Sequence, residues 1–180
     1  MPIPSGDPNN AGLFLPDGFE ALAVVDSIGR TRHIAVNDQG DIYVKLTYND
    51  AMKGSGGTVG LRDLDGDGKA DSIVYFGDYK DEGSLAVGVQ IHDDYLYTTT
   101  VKYVLRNKLK RGELIPTSPT EIILTDTDTN VVRNWHTTKP LAFDDQGHMF
   151  VPFGAPNDAC QDMKVYGPTG TLHGKGLDPC

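Results

Sequence analysis

The stretch 34-IAVNDQGDIYV-44 reads as two short apolar strands folded about a polar turn. Apolar residues recur with the two-residue period of a strand on each side of it, and Gly40 stands where a tight hairpin needs positive φ. Two other stretches match it in register, 88-GVQIHDDYLYT-98 and 141-LAFDDQGHMFV-151. Ile42, Leu96 and Met149 share one slot and Tyr43, Tyr97 and Phe150 the next, at intervals of 54 and 53 residues. A period near fifty is the mark of propeller blades, in which each four-stranded sheet buries its faces against its neighbours. The third copy repeats the glycine as Gly147; the middle copy has HDDY instead, so its turn is expected to differ.

The expected fold is therefore all-β, a β-propeller of which about three blades are present, forming one domain over residues 1–180. Propellers close with about four to eight blades. The uncovered faces are expected to meet further blades of a longer chain or a second copy through self-association. The abrupt end at Asp178-Pro179-Cys180 favours an N-terminal portion. Further strands are expected over 19–28, 72–76 and 121–126, with a strand pair or bent strand over 101–109. Residues 1–15 form a Pro/Asn-rich lead, and the tail 156–180 reads as loop.

Composition narrows the partners. A net charge of −9 and a pI near 4.8 repel nucleic acid and anionic membranes. No apolar run is long enough to span a bilayer, and Met1-Pro-Ile-Pro-Ser has neither the basic nor the hydrophobic region of an export signal. The two cysteines, Cys160 and Cys180, lie in a Gly/Pro-rich stretch that packing alone holds poorly. A disulfide there would contribute ~3 kcal/mol by loop-closure entropy; two free thiols in a reducing compartment are the other reading.

Three places carry candidate chemistry. In 63-DLDGDGKAD-71, the carboxylates of Asp63, Asp65, Asp67 and Asp71, with the backbone carbonyl of Lys69, fall at the alternate positions from which a loop offers hard oxygen ligands to calcium. Position twelve is Val74 rather than glutamate, so the loop is not a complete EF-hand, and a solvated acidic turn is the plain alternative. His136 precedes the strand of the third hairpin and is a candidate general base, since imidazole titrates near neutrality; a structural histidine is the alternative. The turn 154-GAPNDAC-160 follows the same hairpin and could line a site with His136.

Taken together, 13-LFLPDGFEALAVVDSIGRTRHIAVNDQGDIYVKL-46, 61-LRDLDGDGKAD-71, 136-HTTKPLAFDDQGHMFVPFGAPNDAC-160 and 174-GKGLDPC-180 resemble the glucose/sorbosone dehydrogenase family of quinoproteins, its sorbosone-dehydrogenase-like branch above all. The resemblance implies a six-bladed propeller whose first half is this chain. It also implies oxidation of a sugar or aldose with pyrroloquinoline quinone (PQQ), often with calcium, and an electron acceptor that receives the electrons. By the same resemblance His136 is the catalytic base, and Lys139, Asn157 and Asp158 lie at the cofactor, with Lys139 pairing a cofactor carboxylate. Soluble glucose dehydrogenases carry a Gly-Asp turn after this strand where this chain has 154-GAPND-158. The family's cofactor-binding arginines come from later blades, so these 180 residues are expected to show no turnover alone. A Cys160–Cys180 bridge and a periplasmic or secreted location follow from the resemblance too. The rival expectation is a non-catalytic, calcium-stabilised propeller module that binds carbohydrate or protein.

Overall fold

The computed structural model describes residues 4–47, 57–79, 86–127 and 137–154. Within these, alternating apolar residues and short polar turns build ten strands. The first four are β1 (Thr31–Val36), β2 (Ile42–Leu46), β3 (Gly57–Arg62) and β4 (Ser72–Phe76), which form one antiparallel sheet in chain order. A second sheet repeats the pattern with β5 (Val89–His92), β6 (Tyr95–Thr99), β7 (Tyr103–Lys108) and β8 (Glu121–Thr125). A third opens with the hairpin of β9 (Ala142–Phe143) and β10 (Met149–Phe150).

All three expected hairpins form, with Ala35 opposite Tyr43, Ile91 opposite Leu96, and Ala142 opposite Phe150. The middle turn differs as expected. It is reduced to Asp93 and Asp94 between the paired His92 and Tyr95, and Asp93 supplies the positive φ of 49° that glycine gives elsewhere. Asp tolerates this region because its short side chain bonds locally. Gly40 and Gly147 hold φ of 88° and 83°.

The expected strands at 72–76 and 121–126 are β4 and β8, and 101–109 is one strand, β7, whose register slips between Val104 and Leu105. One expectation needs correction, and one strand was not foreseen. Residues 19–28 join no sheet: Ala21 O accepts from Asp7 N, and Val24 O accepts from Ala70 N, as isolated bonds rather than a ladder. The segment lies along blade one, where Val25 and Ile28 cover Val44, Leu46, Val59 and Leu61. Conversely, the glycine-rich run at 57–62 is strand β3, paired on both sides.

Each blade buries alternate residues in opposite directions. From β2, Val44 and Leu46 point to the outer cluster, while Tyr43 points to the seam with blade two, packed with Ala35, Val89, Leu96 and Leu109. Tyr97, in the slot of Tyr43, faces the next seam, where its ring lies 4.8 Å from that of Phe143. The repeat thus fixes which face each slot serves. Consecutive antiparallel strands also sort the loops by end. Segments 37–41, 63–71, 93–94 and 144–148 lie at one end of the sheets, and 77–79, 100–102 and 137–141 at the other. We call these the turn end and the connection end.

Candidate functional site

The 63–71 loop joins β3 to β4 at the turn end. Strands, not helices, flank it, and Val74 lies within β4. Asp63 organises the loop: Oδ1 accepts from the backbone N–H groups of Asp65 (3.1 Å) and Gly66 (2.7 Å), and Oδ2 from that of Gly68 (2.7 Å). These bonds, that from Gly66 foremost, hold its carboxyl below the usual carboxylate range. Asp71 Oδ2 accepts from Leu64 N at 2.7 Å and closes the loop. Carboxylate oxygens of Asp63, Asp65 and Asp71 lie within 4.8 Å of one another. Asp67 stands outside that trio and accepts from Lys69 N, while Lys69 Nζ reaches back to Asp7 at 3.2 Å. Gly68, at φ 86°, has Leu22 and Pro4 where a Cβ would stand, so the lead packs directly on the loop.

Lys139 stands at the connection end, in the segment that feeds β9. It is 2% exposed. Its ammonium donates to Val101 O at 2.7 Å and to Thr137 O at 3.5 Å, and pairs with Asp126 Oδ2 at 2.9 Å. The ring of Phe153 lies 5.2 Å away. Three N–H bonds are all an ammonium has, and these partners take them. These contacts tie blade two to the start of the third blade. Thr99 reinforces this seam, since its hydroxyl donates to Lys139 O and accepts from Gly88 N. Gly88 is required there because a Cβ would strike both Lys139 O and Thr99.

Sequence reasoning passed over two further charged groups. Lys45, fully buried between the blades, donates to Leu46 O and Gly57 O, both at 3.1 Å, and lies 5.3 Å from the ring centroid of Tyr79. Burial lowers its pKa to about 7. At the turn end, Arg62 grips the buried Asp41 with Nε at 2.6 Å and Nη2 at 2.8 Å, and Asn37 Nδ2 adds a bond at 2.9 Å. Arg62 also donates to Gly112 O, and Gly112 N donates to Gln39, which locks the first hairpin turn to blade two. The only signal in the sequence for this clamp was an aspartate directly before the strand Ile42–Leu46.

His136, Asn157, Asp158, Cys160 and Cys180 lie outside the described residues, and so does the expected bridge between the cysteines.

No protein-family description and no curated protein matches the chain. Among solved structures, it is similar to the holo form of the pyranose dehydrogenase PQQ domain from Coprinopsis cinerea, with a TM-score of 0.63 and 13% sequence identity. The match covers 80% of this chain and 32% of that one, so the chain spans about a third of that chain's length. The likeness shows the fold: the sheets described here are blades of a β-propeller.

Proposed function

We propose that the chain is part of a PQQ-dependent oxidoreductase that oxidises a sugar or aldose of the sorbosone type. The observation that carries the proposal is the likeness of its blades to those of a holo PQQ domain, and the family resemblance of the 136–160 segment supports it. Bound PQQ supplies the hydride acceptor. His136 takes the proton from the substrate hydroxyl through an imidazole nitrogen, which raises the electron density of the carbon losing hydride. Asn157 and Asp158 contribute to the same end, one of them standing in for the aspartate that orients the base. Lys139 acts one layer deeper, because its ammonium is spent on Asp126, Val101 and Thr137. It holds residues 137–139, which directly follow His136 in the chain.

Calcium belongs to the proposal as a loop ion at Asp63, Asp65 and Asp71, whose convergent oxygens suit a hard cation. Its loop is at the turn end of blade one, which a bound ion would stiffen. A periplasmic or secreted location rests on the family resemblance.

The test uses protein carrying a complete propeller. Sugar-dependent dye reduction should require PQQ, and His136→Ala should lower kcat by ~10²–10⁴-fold. PQQ binding by that variant, read from quenching of the single tryptophan, Trp135, should be unchanged. Undiminished kcat in His136→Ala, or turnover without PQQ, refutes the assignment. Wild-type protein that neither turns over nor binds PQQ, yet binds carbohydrate or protein, establishes the non-catalytic module instead.

A further inference from the structure

An aspartate followed by glycine isomerises readily, because glycine has no side chain to shield its amide nitrogen from the carboxyl before it. The chain holds three such pairs, Asp17-Gly18, Asp65-Gly66 and Asp67-Gly68. All lie outside the strands, all three aspartates are exposed, and the glycines share nearly one backbone conformation, with φ of 86°, 84° and 86°. Exposure and backbone shape therefore do not tell the pairs apart. Hydrogen bonding does.

In the acidic loop both glycine N–H groups are taken. Gly66 N donates to Asp63 Oδ1 and Gly68 N to Asp63 Oδ2, each at 2.7 Å. The carboxylates before them are engaged too, since Asp65 Oδ1 accepts from Asp67 N at 3.1 Å and Asp67 Oδ1 from Lys69 N at 2.7 Å. The turn at 16–19 is built differently. Phe19 N donates to Pro16 O at 3.2 Å, so Asp17 and Gly18 are its two central residues, and the bond that closes such a turn does not use the N–H of the second. Among the described residues, neither Gly18 N nor the Asp17 carboxylate has a hydrogen-bond partner. Nothing lies within 4 Å of where a Cβ on Gly18 would stand.

We propose that Asp17-Gly18 is a site of spontaneous isoaspartate formation, and that Asp63 shields the two pairs in the loop by occupying their amide nitrogens. Gly18 N attacks Cγ of the Asp17 carboxylic acid; the amide proton and the acid hydroxyl leave as water, and a five-membered succinimide forms. Water then adds back at either ring carbonyl. Opening at Cγ restores aspartate, whereas opening at the main-chain carbonyl leaves the chain running through Cγ, with a free α-carboxylate. The water lost in the first step is regained in the second, and no other reactant is consumed. The product has one extra main-chain carbon in the turn between Pro4 and Leu22, the two residues that pack against Gly68. In the loop the same attack requires Gly66 N or Gly68 N to leave Asp63. A bond to a carboxylate lowers the population of that open form by ~10–100-fold.

Ageing of the whole chain in calcium-free, mildly acidic buffer tests the idea. Peptide mapping by mass spectrometry with electron-transfer fragmentation separates isoaspartyl from aspartyl peptides, and the same chain held in denaturant gives the unshielded rate of each pair. In the folded chain Asp17 should keep a rate close to its unshielded one, while Asp65 and Asp67 should fall ~10–100-fold below theirs. Asp63→Ala should raise both loop sites towards the unshielded rate and leave Asp17 unchanged. Asp71→Ala removes the bond to Leu64 N but not those from Gly66 and Gly68, and should raise them less. Loop sites that age as fast as Asp17, or an Asp17 slowed as much as they are, would overturn the proposal. So would an Asp63→Ala variant without effect, or an equal rise in Asp71→Ala.

Discussion

Replacing Asp41 by alanine tests whether the charged clamp at the turn end, and not apolar packing alone, locks the first two blades. The Asp41 side chain is 2% exposed and accepts three bonds, two from Arg62 and one from Asn37. Deleting it leaves a guanidinium whose remaining acceptor among the described residues is Gly112 O at 3.3 Å. Breaking one side of a buried pair costs ~3–5 kcal/mol. Arg62 is 27% exposed, so water recovers part of its solvation, which favours the low end, about 3 kcal/mol. For a chain of this size each kcal/mol moves Tm by ~2–4 °C, so the loss should be roughly 6–12 °C. Differential scanning calorimetry at neutral pH measures it, with Arg62→Ala and the double variant completing a cycle. The pair should show a coupling of ~1–3 kcal/mol. A drop below about 1 °C, or strictly additive losses, would refute the clamp.

Other expected outcomes follow from the same geometry. Burial pushes the Asp41 carboxyl up, but its bonds to Arg62 and Asn37 outweigh this and hold it below its ordinary 3.8. Its stabilisation is therefore complete above that pH and is lost as pH falls through the lower, folded value. The Tm gap between parent and Asp41→Ala should narrow on acidification, and a constant gap would contradict this. Calcium at 100 times its Kd should stabilise the parent by ~2.7 kcal/mol in thermal melts, and Asp65→Ala should abolish that shift; a retained shift places the ion elsewhere. Gly68→Ala forces a Cβ against Leu22 and Pro4 at φ 86°, and should cost ~1–3 kcal/mol in chemical denaturation. Lys139→Met removes the buried ammonium that pairs with the Asp126 carboxylate and should destabilise more than Lys139→Met/Asp126→Asn does, as read from denaturation midpoints.

The first and third hairpins were legible because two independent signals coincided, the period-two pattern and a glycine-containing turn; the middle one was legible from its pattern and its place in the repeat. In the structure, residues of one repeat slot share an orientation, since Tyr43 and Tyr97 face successive seams. Strand β3 was hidden because its glycines carry no side-chain pattern, and its place depends on pairing with β2 and β4. Residues 19–28 misled for the opposite reason: their apolar run serves to cover a blade face, which needs hydrophobicity but no ladder. At the site, the acidic loop was legible as a local motif, whereas Lys139 was not. A lysine is normally solvated, and its burial depends on Asp126 and Val101, both from blade two.

That burial makes Lys45 and Lys139 chemical timers of seam opening. At 0% and 2% exposure, neither amine can meet an acylating reagent while the blades are closed, although exposed lysines such as Lys110 react at once. Lys45 lies in the seam between blades one and two, and Lys139 in the seam that follows. Peptide mapping after timed labelling would therefore show which seam parts first, and whether the blades separate singly or as one body.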